Sequence, residues 1–271
     1  MKSISKIKLI LCFHCAPFSK KNLDNLKLVD AIITCTEGYR KKIINLINND
    51  AFLMQHAFKN IFEINFYEER HIDVSFLGSL FLSNKLHVGR VDIIYNLIKN
   101  YKKSYVAINF SKFFLLDFLM FIVNSIIKFK FLKNFSKFYK IIFIFLFSKK
   151  PVFGKEMFKV LKSSKILINK HIEDTEYAGN MRLFEGTGLG CLLITDYKRD
   201  LEKLFDIENE IILYNNHNQL FEKINYYLKD SKNRLKISKN GYKKTRSVHN
   251  YSSRINELDK FIQKKINNEN L

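Results

Sequence analysis

Short apolar runs alternate with amphipathic stretches along most of the chain. Such runs, bounded by polar turn residues, predict strands, and the stretches between them carry apolar residues at helical spacing. The predicted strands are 8–13, 31–35, 52–56, 74–79, 104–110, 165–169, 191–196 and 210–214. The predicted helices are 37–48, 87–101, 154–163, 179–188, 199–206 and 217–229, with a helical tail from about 231 to 268. This order predicts an α/β fold with parallel, doubly wound sheets.

The alternation breaks between Asn60 and His71, where IFEINFYEERH fits neither a regular strand nor a regular helix. We interpret this break as a crossing between domains, although no Pro- or Gly-rich linker marks it. The prediction is an N-terminal domain over 1–65, a larger domain over 66–250 and a C-terminal helix over 251–271. The first of these holds only about three strands, too few for a complete doubly wound domain.

A second interruption, at about 111–150, is an apolar and basic helical insertion in the larger domain. Its first part, FFLLDFLMFIVNSII, is interrupted by Asp117 and Asn124. Spanning a bilayer takes roughly 20 consecutive apolar residues, so a transmembrane helix is the less favoured interpretation.

The second part of the insertion predicts a basic amphipathic helix. At helical periodicity one face carries four lysines and the opposite face four large apolar residues. These are Lys130, Lys133, Lys137 and Lys140, and Phe131, Phe135, Phe138 and Ile142. Such a helix suits the surface of an anionic membrane. Packing of the aromatic side on its own domain fits about as well, and contact with RNA is a third alternative.

The charge balance points to acidic partners. The formal net charge is +20, which favours nucleic acid, anionic lipid headgroups or phosphorylated substrates. The lysines are dispersed among predicted α/β elements and no RNA-binding motif is present, so a specific nucleic-acid-binding protein is disfavoured.

The four cysteines, Cys12, Cys15, Cys35 and Cys191, do not form a disulfide framework. The lone CFHC at 12–15 leaves a zinc or redox site as a minor alternative to free thiols in a reducing cytosol. The N-terminal MKSISKIKLILCF faintly resembles a secretion signal, but its apolar run is short, and a buried strand is preferred. We therefore expect a cytoplasmic protein.

Three glycines in NMRLFEGTGLGCLLITD, namely Gly186, Gly188 and Gly190, approach the spacing of a dinucleotide-binding loop. That loop must follow a strand and open a helix, because the pyrophosphate sits at the helix N-terminus. Here the predicted helix comes first and the strand last. The glycines therefore predict a turn from helix to strand, and a dinucleotide fingerprint is excluded.

The start of the same helix is the better candidate for binding an anion. Gly179 and Asn180 lie at its predicted N-terminus, where free amides favour negative charge, and Arg182 adds a cationic fork. Glu185, one turn further, is suited to accept hydrogen bonds from ribose hydroxyls. The combination fits a nucleoside diphosphate; the alternative is ordinary helix capping with a surface ion pair.

These motifs resemble the C-terminal half of group 1 glycosyltransferases, in the branch named after a spore-maturation protein. The resemblance rests on GNMRLFEGTGLGCLLITD and on Tyr214, Tyr227, Arg234, Gly241, His249 and Arg254 downstream. Upstream, MQHAF, DVSFLGS and VFGKEMFKVLKSSKILIN are also similar. The resemblance covers roughly residues 30–260 and is weakest across 105–150.

The resemblance implies a GT-B fold, in which two Rossmann-like domains face each other across a cleft. It implies transfer of a sugar from a nucleotide-diphosphate sugar to a hydroxyl of a glycan, a lipid-linked or a protein acceptor. By this analogy Glu185 binds the ribose and the Asn180–Arg182 segment binds the diphosphate. Further donor-binding residues implied are Gly78, Ser79, Arg90, His171 and Gly179. No metal or other cofactor is expected.

The sequence departs from the family pattern in two places. Many retaining members carry a second glutamate where this chain has Tyr177, so the contact to the donor sugar is unassigned. The acceptor domain of the family begins well before KLILCFHCAPF, so a truncated N-terminal domain is expected. His14 is the candidate catalytic base, with a partly buried structural histidine as the alternative. A catalytically inactive or partner-completed nucleotide-sugar-binding remnant is the second functional hypothesis.

Overall fold

The computed structural model describes residues 7–16, 20–47, 49–60, 62–82, 87–127, 131–173 and 176–268. Its strands are β1 (Leu11–Phe13), β2 (Ala31–Thr34), β3 (Ala51–Leu53), β4 (Ile72–Leu80), β5 (Ser104–Phe110), β6 (Ser164–Asn169), β7 (Leu192–Asp196) and β8 (Ile212–Tyr214). Its helices are α1 (Lys20–Leu26), α2 (Glu37–Ile47), α3 (Val91–Asn100), α4 (Phe114–Ile127), α5 (Phe131–Phe147), α6 (Gly154–Lys162), α7 (Arg182–Gly188), α8 (His217–Lys229), α9 (Ser231–Ser247) and α10 (Tyr251–Asn268). Short 3-10 turns lie at Val88–Arg90 and Leu201–Lys203.

The larger sheet has five parallel strands in the order β5-β4-β6-β7-β8. The middle positions of its strands are mainly apolar because successive side chains pack into cores on opposite faces. In β6, for example, Ile166 and Ile168 join one core, whereas Leu167 joins the other. The predicted α/β fold with Rossmann-like parallel sheets is confirmed.

The smaller sheet has the order β1-β2-β3 and is also parallel. Helix α10 is attached to it: the rings of Phe52 and Phe261 stack at 4.7 Å. At the same contact Lys265 Nζ lies 2.6 Å from Asp50 Oδ2. Helix α10 therefore packs against the smaller sheet. The domain boundaries at 65 and 250 stay a prediction.

Three predicted helices differ from the structure. The helix expected over 199–206 is only the 3-10 turn Leu201–Lys203. The carboxylate of Asp200 accepts a hydrogen bond from the Ala178 amide at 2.6 Å and so does not cap a longer helix. The helix expected over 179–188 begins at Arg182. The predicted tail is two helices, α9 and α10, because the chain turns His249 into the core between them.

The insertion at 111–150 consists of α4 and α5. Helix α5 packs on α3 through Ile141 and Ile144, which are fully buried. Lys140 faces the same way: its Nζ lies 2.7 Å from Asp92 Oδ1, and the lysine is about one quarter exposed. The prediction that Lys140 belongs to an outward basic face is therefore wrong, because helix packing gives it an acidic partner.

The rest of the predicted basic helix is only partly described. Lys130 and the side chains of Phe131 and Lys133 lie outside the described residues, and Lys137 is half-buried. On the predicted apolar side, Phe138 is buried whereas Phe135 is 63% exposed. The predicted apolar face is therefore not uniformly buried, and the predicted basic face is not uniformly exposed to solvent. Among the helices of the described part of the chain, none is long and apolar enough to cross a bilayer.

Candidate functional site

The candidate site lies where the strand order of the larger sheet reverses. From β4 the chain passes to β5 on one side and later returns to β6 on the other side of β4. The connections that leave the carboxyl ends of β4 and β6 therefore diverge, and a crevice opens between them. A cavity of about 350 Å³ occupies this position.

Residues of both sheets line the cavity. The smaller sheet contributes Cys15, Cys35, Thr36, Tyr39 and His56 from the segments that follow its strands. All the predicted donor-binding residues except Glu185 contribute from the larger one: Gly78, Ser79, Arg90, His171, Gly179, Asn180 and Arg182. The structure thus brings together residues that are separated in the sequence by as many as 167 positions, from Cys15 to Arg182.

His171 is held at the floor of the cavity by Asp196. Both the backbone N and Nδ1 of His171 lie 2.8 Å from Asp196 Oδ1, and Lys170 Nζ lies 2.9 Å from Oδ2. Burial raises the pKa of Asp196, but the hydrogen bond and charge of His171, with the charge of Lys170, outweigh burial and hold it well below its ordinary range. The carboxylate is therefore ionised and accepts the Nδ1 proton.

The other ring nitrogen of His171 has a different environment. His171 is 3% exposed, and its Nε2 is buried without a hydrogen-bond partner among the described residues. An unpaired buried polar atom in a cavity wall costs free energy that a ligand can recover. Because Asp196 fixes Nδ1 as the donor, Nε2 is available to a ligand.

An amide network positions the loop that carries Asn180. Asn169, the last residue of β6, accepts a hydrogen bond from Asn180 Nδ2 at 2.7 Å through its Oδ1. Its own Nδ2 donates to Thr195 Oγ1 at 2.9 Å, and its carbonyl accepts from Tyr214 OH at 3.2 Å. The ends of β6, β7 and β8 are thereby joined behind the cavity.

Arg90 spans the crevice itself. Its two terminal nitrogens donate to the carbonyl oxygens of Ser79 and Lys170, each at 2.8 Å, and so connect the segments that follow β4 and β6. Burial lowers the pKa of Arg90 to about 10, so the guanidinium remains charged at neutral pH. Arg90 therefore fixes the cavity wall and places a positive charge in it.

Arg182 and Glu185 form a pair at the start of α7. An Arg182 terminal nitrogen bonds Glu185 Oε2, Arg182 Nε donates to Leu77 O at 3.1 Å, and the Arg182 amide donates to Asn180 Oδ1 at 3.0 Å. Glu185 is buried behind Arg182 and does not belong to the cavity lining. The structure therefore places Glu185 as the partner of a lining arginine, and its role toward ribose stays a prediction.

Gly179 packs closely against the segment that follows β2. A side chain at Gly179 would overlap the methyl group of Thr36, which follows β2. Glycine is therefore required here by the contact between the two halves of the cavity wall, whatever ligand it also meets.

The histidines of the cavity differ from the one predicted. His14 is half-buried and is not among the lining residues. His56 and His87 line the cavity instead, and burial lowers the pKa of both, for His87 to about 4. His87 Nδ1 accepts a hydrogen bond from the Phe81 amide at 3.0 Å. His56 ends the predicted strand 52–56, and ligand sites collect at the carboxyl ends of parallel strands, so the sequence could have indicated it.

The lining is basic. Lys170, Arg90 and Arg182 contribute positive charges, and among the described lining residues there is no carboxylate. The two acids closest to these cations, Asp196 and Glu185, lie behind the wall as their partners. The cavity therefore favours an anion. In the described part of the chain no cluster of three His, Cys, Asp or Glu residues is arranged to hold a metal ion.

Of the three glycines in NMRLFEGTGLGCLLITD, Gly186 and Gly188 lie in the last turn of α7 and serve packing, and Gly190 follows the helix. A side chain at Gly186 would overlap Leu167, and one at Gly188 would overlap the ring of Phe58. Gly190 has a φ of +73°, which permits the turn into β7. The exclusion of a dinucleotide loop agrees with these contacts.

Comparison with known proteins gives the class of the larger part of the site. Residues 146–260 match a family model described as "Glycosyl transferase-like". This segment runs from the end of α5 into α10 and contains His171, Asn180, Arg182 and Asp196. No characterised protein sequence shows significant similarity to the chain.

Solved structures give the fold. Sucrose-phosphate synthase from Thermosynechococcus elongatus superposes with a TM-score of 0.58 at 10% identity, over 90% of this chain and 60% of that one. Alr3699/HepE from Anabaena, in complex with UDP-glucose, gives 0.61 at 11% identity, over 91% and 68%. TarM of S. aureus gives 0.58 at 13% identity, over 92% and 45%.

These neighbours are GT-B glycosyltransferases, and the chain has their fold. It spans about 60% and 45% of the lengths of sucrose-phosphate synthase and TarM. Residues 146–260 are thus glycosyl transferase-like, and the chain has the fold of these glycosyltransferases. The predicted resemblance is confirmed at this level, while the branch and the truncation of the first domain stay predictions.

Proposed function

We propose that the chain transfers a sugar from a nucleotide-diphosphate sugar to a hydroxyl group of a glycan, a lipid-linked or a protein acceptor. The observation that carries this proposal is the basic cavity at the strand-order reversal, with the unpaired Nε2 of His171 in its wall. Open α/β sheets bind ligands at this position. The cavity volume also lies within the range of small-molecule sites.

The donor diphosphate is the ligand that best matches the charges of the lining. Lys170, Arg90 and Arg182 surround the crevice, and a pyrophosphate group carries the complementary negative charge. The Anabaena neighbour has been solved with UDP and with UDP-glucose, which supports the same ligand class here. In this proposal His171 Nε2 forms a hydrogen bond with the nucleotide sugar, and Glu185, which lies behind the lining, orients Arg182.

The reaction needs a group that receives the proton of the acceptor hydroxyl. His56 comes from the segment after β3 and lines the cavity opposite the donor residues. Burial lowers its pKa, so at neutral pH the imidazole is uncharged and able to accept a proton. As the acceptor oxygen bonds to the anomeric carbon, the bond to the diphosphate breaks, and the basic residues stabilise the departing anion. In the same proposal these side chains make a metal or other cofactor unnecessary.

The second candidate function is nucleotide-sugar binding without turnover, alone or completed by a partner. Two observations favour it: Tyr177 lines the cavity where many retaining relatives place a glutamate, and no described lining residue is acidic. A cytoplasmic location belongs to both proposals. The four free cysteines support a reducing compartment.

Turnover separates the two functions. The purified chain is incubated with UDP- and GDP-sugars, with and without a mixture of glycan and lipid-linked acceptors, and release of the nucleoside diphosphate is measured. His56→Gln is compared with His71→Gln, a matched change at an exposed histidine. The proposal predicts acceptor-dependent release that His56→Gln lowers at least about a hundredfold and His71→Gln leaves intact. Binding of a sugar nucleotide without release by the unaltered chain would favour the second function.

A further inference from the structure

The outer side of α4 is an exposed aliphatic surface. Seven large apolar side chains of this helix are between 38% and 73% exposed: Leu115, Leu116, Leu119, Met120, Val123, Ile126 and Ile127. At helical periodicity they share an arc of about 140°. We call this set the α4 outer face. Isolated exposed apolar residues are ordinary, but a continuous set on one helix indicates an interaction surface.

The inner side of α4 is already occupied. Phe114 is buried and its ring stacks on Phe145 at 4.7 Å, while Phe118 and Phe121 contact the ring of Phe138 on α5 at 6.2 and 5.4 Å. These aromatic contacts fix the rotation of α4 on α5. The outer face is therefore held away from the domain core and does not pack onto it.

The polar groups that border the outer face have hydrogen-bond partners within the chain. Asn124 Nδ2 donates to the Met120 carbonyl at 2.8 Å, and Asp117 accepts a hydrogen bond from Ser111. No charged side chain lies within the arc. The surface is thus suited to an apolar environment and gives no polar group for a specific hydrophilic partner.

The charges around α4 and α5 indicate which partner the α4 outer face contacts. Residues 111–150 contain eight lysines and a single acid, Asp117. Lys112 precedes α4, and Lys149 and Lys150 follow α5; all three are exposed. Aliphatic side chains bordered by lysines match a bilayer interface with anionic headgroups, where lysines reach the phosphates. A second copy of the chain would bring lysine against lysine, which opposes self-association.

We infer that the α4 outer face inserts into the headgroup region of an anionic membrane, with α4 lying in the plane of the bilayer. Helix α4 has 14 residues, about 21 Å, which is shorter than the hydrocarbon core of roughly 30 Å. In this inference the lipid contact is made by α4, whereas the sequence analysis gave a membrane contact of the following helix as one of three alternatives. This inference does not depend on sugar transfer, although a lipid-linked acceptor would agree with both.

Vesicle flotation tests the inference. The full chain is mixed with vesicles of phosphatidylcholine alone, or of phosphatidylcholine with phosphatidylglycerol. The double variant Leu116→Gln, Leu119→Gln is compared with Leu46→Gln, Ile255→Gln, which removes two exposed aliphatic side chains from α2 and α10. We expect binding to the anionic vesicles to fall about tenfold or more in the α4 variant and to stay unchanged in the control.

Equal binding by both variants, or no binding of the unaltered chain to anionic vesicles, would overturn the inference. So would a dimer of the unaltered chain that the α4 variant dissociates while vesicle binding persists. Nucleotide titration on the same samples tests the proposed function separately, because nucleotide binding does not require the α4 outer face.

A fluorescence measurement tests the inference even if the Leu116→Gln, Leu119→Gln variant folds poorly. The chain contains no tryptophan, so Leu119→Trp introduces a single reporter on the outer face and Leu46→Trp a matched one elsewhere. Anionic vesicles should shift the emission of the reporter at position 119 to shorter wavelength and leave that at position 46 unchanged. An unchanged spectrum at position 119 would contradict insertion.

Discussion

The Nδ1 atom of His171 lies 2.8 Å from Oδ1 of Asp196, which joins the segment after β6 to the last residue of β7. This contact decides the chemistry of the cavity floor. It holds the carboxylate ionised, assigns the Nδ1 proton to the hydrogen bond and leaves Nε2 for a ligand.

Replacing Asp196 by asparagine should destabilise the protein. Asp196→Asn removes the negative charge that pairs with His171 and Lys170. These two side chains then remain in the protein interior without an ionised partner. Loss of one partner of a buried ionic network costs about 3 kcal/mol. Urea unfolding at neutral pH measures this cost, with Glu202→Gln, an exposed acid nearby, as a control expected within about 0.5 kcal/mol of the unaltered chain.

The same carboxylate gives a pH dependence with a defined sign. Because the pKa of Asp196 is lower in the folded than in the unfolded chain, its stabilising contribution is present above the unfolded pKa and is lost as the pH falls. The free energy of unfolding of Asp196→Asn should therefore change less between pH 5 and pH 2 than that of the unaltered chain. Parallel curves would show that Asp196 is not held ionised by its partners.

Arg90 should be irreplaceable by lysine. Its two terminal nitrogens bind the carbonyls of Ser79 and Lys170 at once, which one ammonium group is not shaped to do. Arg90→Lys and Arg90→Met should both lower the free energy of unfolding by about 2–3 kcal/mol. If Arg90→Lys unfolds at the same urea concentration as the unaltered chain, the two carbonyl contacts are not what makes Arg90 important.

His249 should make the protein sensitive to mild acid. The residue is 3% exposed between the rings of Phe184 and Phe205, and burial lowers its pKa to about 4. The unfolded chain binds the proton more readily, so stability is lost as the pH falls through the range from about 6.5 toward 4. The loss at the lower end is on the order of 3 kcal/mol for this group.

Thermal unfolding at pH 7.5 and pH 5 measures the effect of His249. His249→Gln is expected to be less stable at pH 7.5 and to show a smaller difference between the two pH values. His71→Gln, at an exposed site, serves as the control and should retain the full difference.

Cys15 should be the thiol that reports occupancy of the cavity. A hydrogen bond with Cys35 lowers the pKa of Cys15, which is half-buried in the cavity wall. The pKa of Cys35 is raised by Cys15 and by burial, and that of Cys191 is raised by burial to about 11. In a Cys12→Ser background, iodoacetamide should therefore modify Cys15 first, and saturating nucleotide sugar should slow the reaction. Alkylation at an unchanged rate would place the ligand elsewhere.

Gly188 should tolerate no side chain, for reasons of packing. A methyl group at this position would overlap the ring of Phe58, so Gly188→Ala should destabilise the chain by about 1–3 kcal/mol. Nucleotide affinity should be retained once the protein is folded, because Gly188 is outside the cavity lining. A variant of normal stability that fails to bind nucleotide would revive a direct role of the glycine turn.

The sequence predicted the parallel α/β fold because the fold depends on local signals. Seven of the residues that line the cavity are among the predicted donor-binding residues. The apolar runs of β4, β6 and β7 are bounded by polar residues, and ligand sites collect at the carboxyl ends of parallel strands. The Asn180–Arg182 segment and His171 lie in the cavity wall, and their role toward a nucleotide sugar stays a prediction. Asp196 also ends a predicted strand, and the same rule would have indicated it.

The predictions that differed depend on contacts across the fold. Glu185 lies behind the wall because Arg182 turns back to bind both it and the Leu77 carbonyl. Lys140 turns inward because Asp92, far away in sequence, lies opposite it on α3. No periodicity along one segment contains these partners.

Calorimetric titration with UDP, GDP and their sugars tests the central claim most directly. The account predicts saturable binding of one nucleotide series by the unaltered chain. Binding should weaken at least about tenfold in His171→Ala, which removes the unpaired nitrogen, and in Glu185→Ala, which releases Arg182, while His71→Ala binds normally. No binding of any nucleotide, or equal binding by all three variants, would contradict the assignment of this cavity as the donor site.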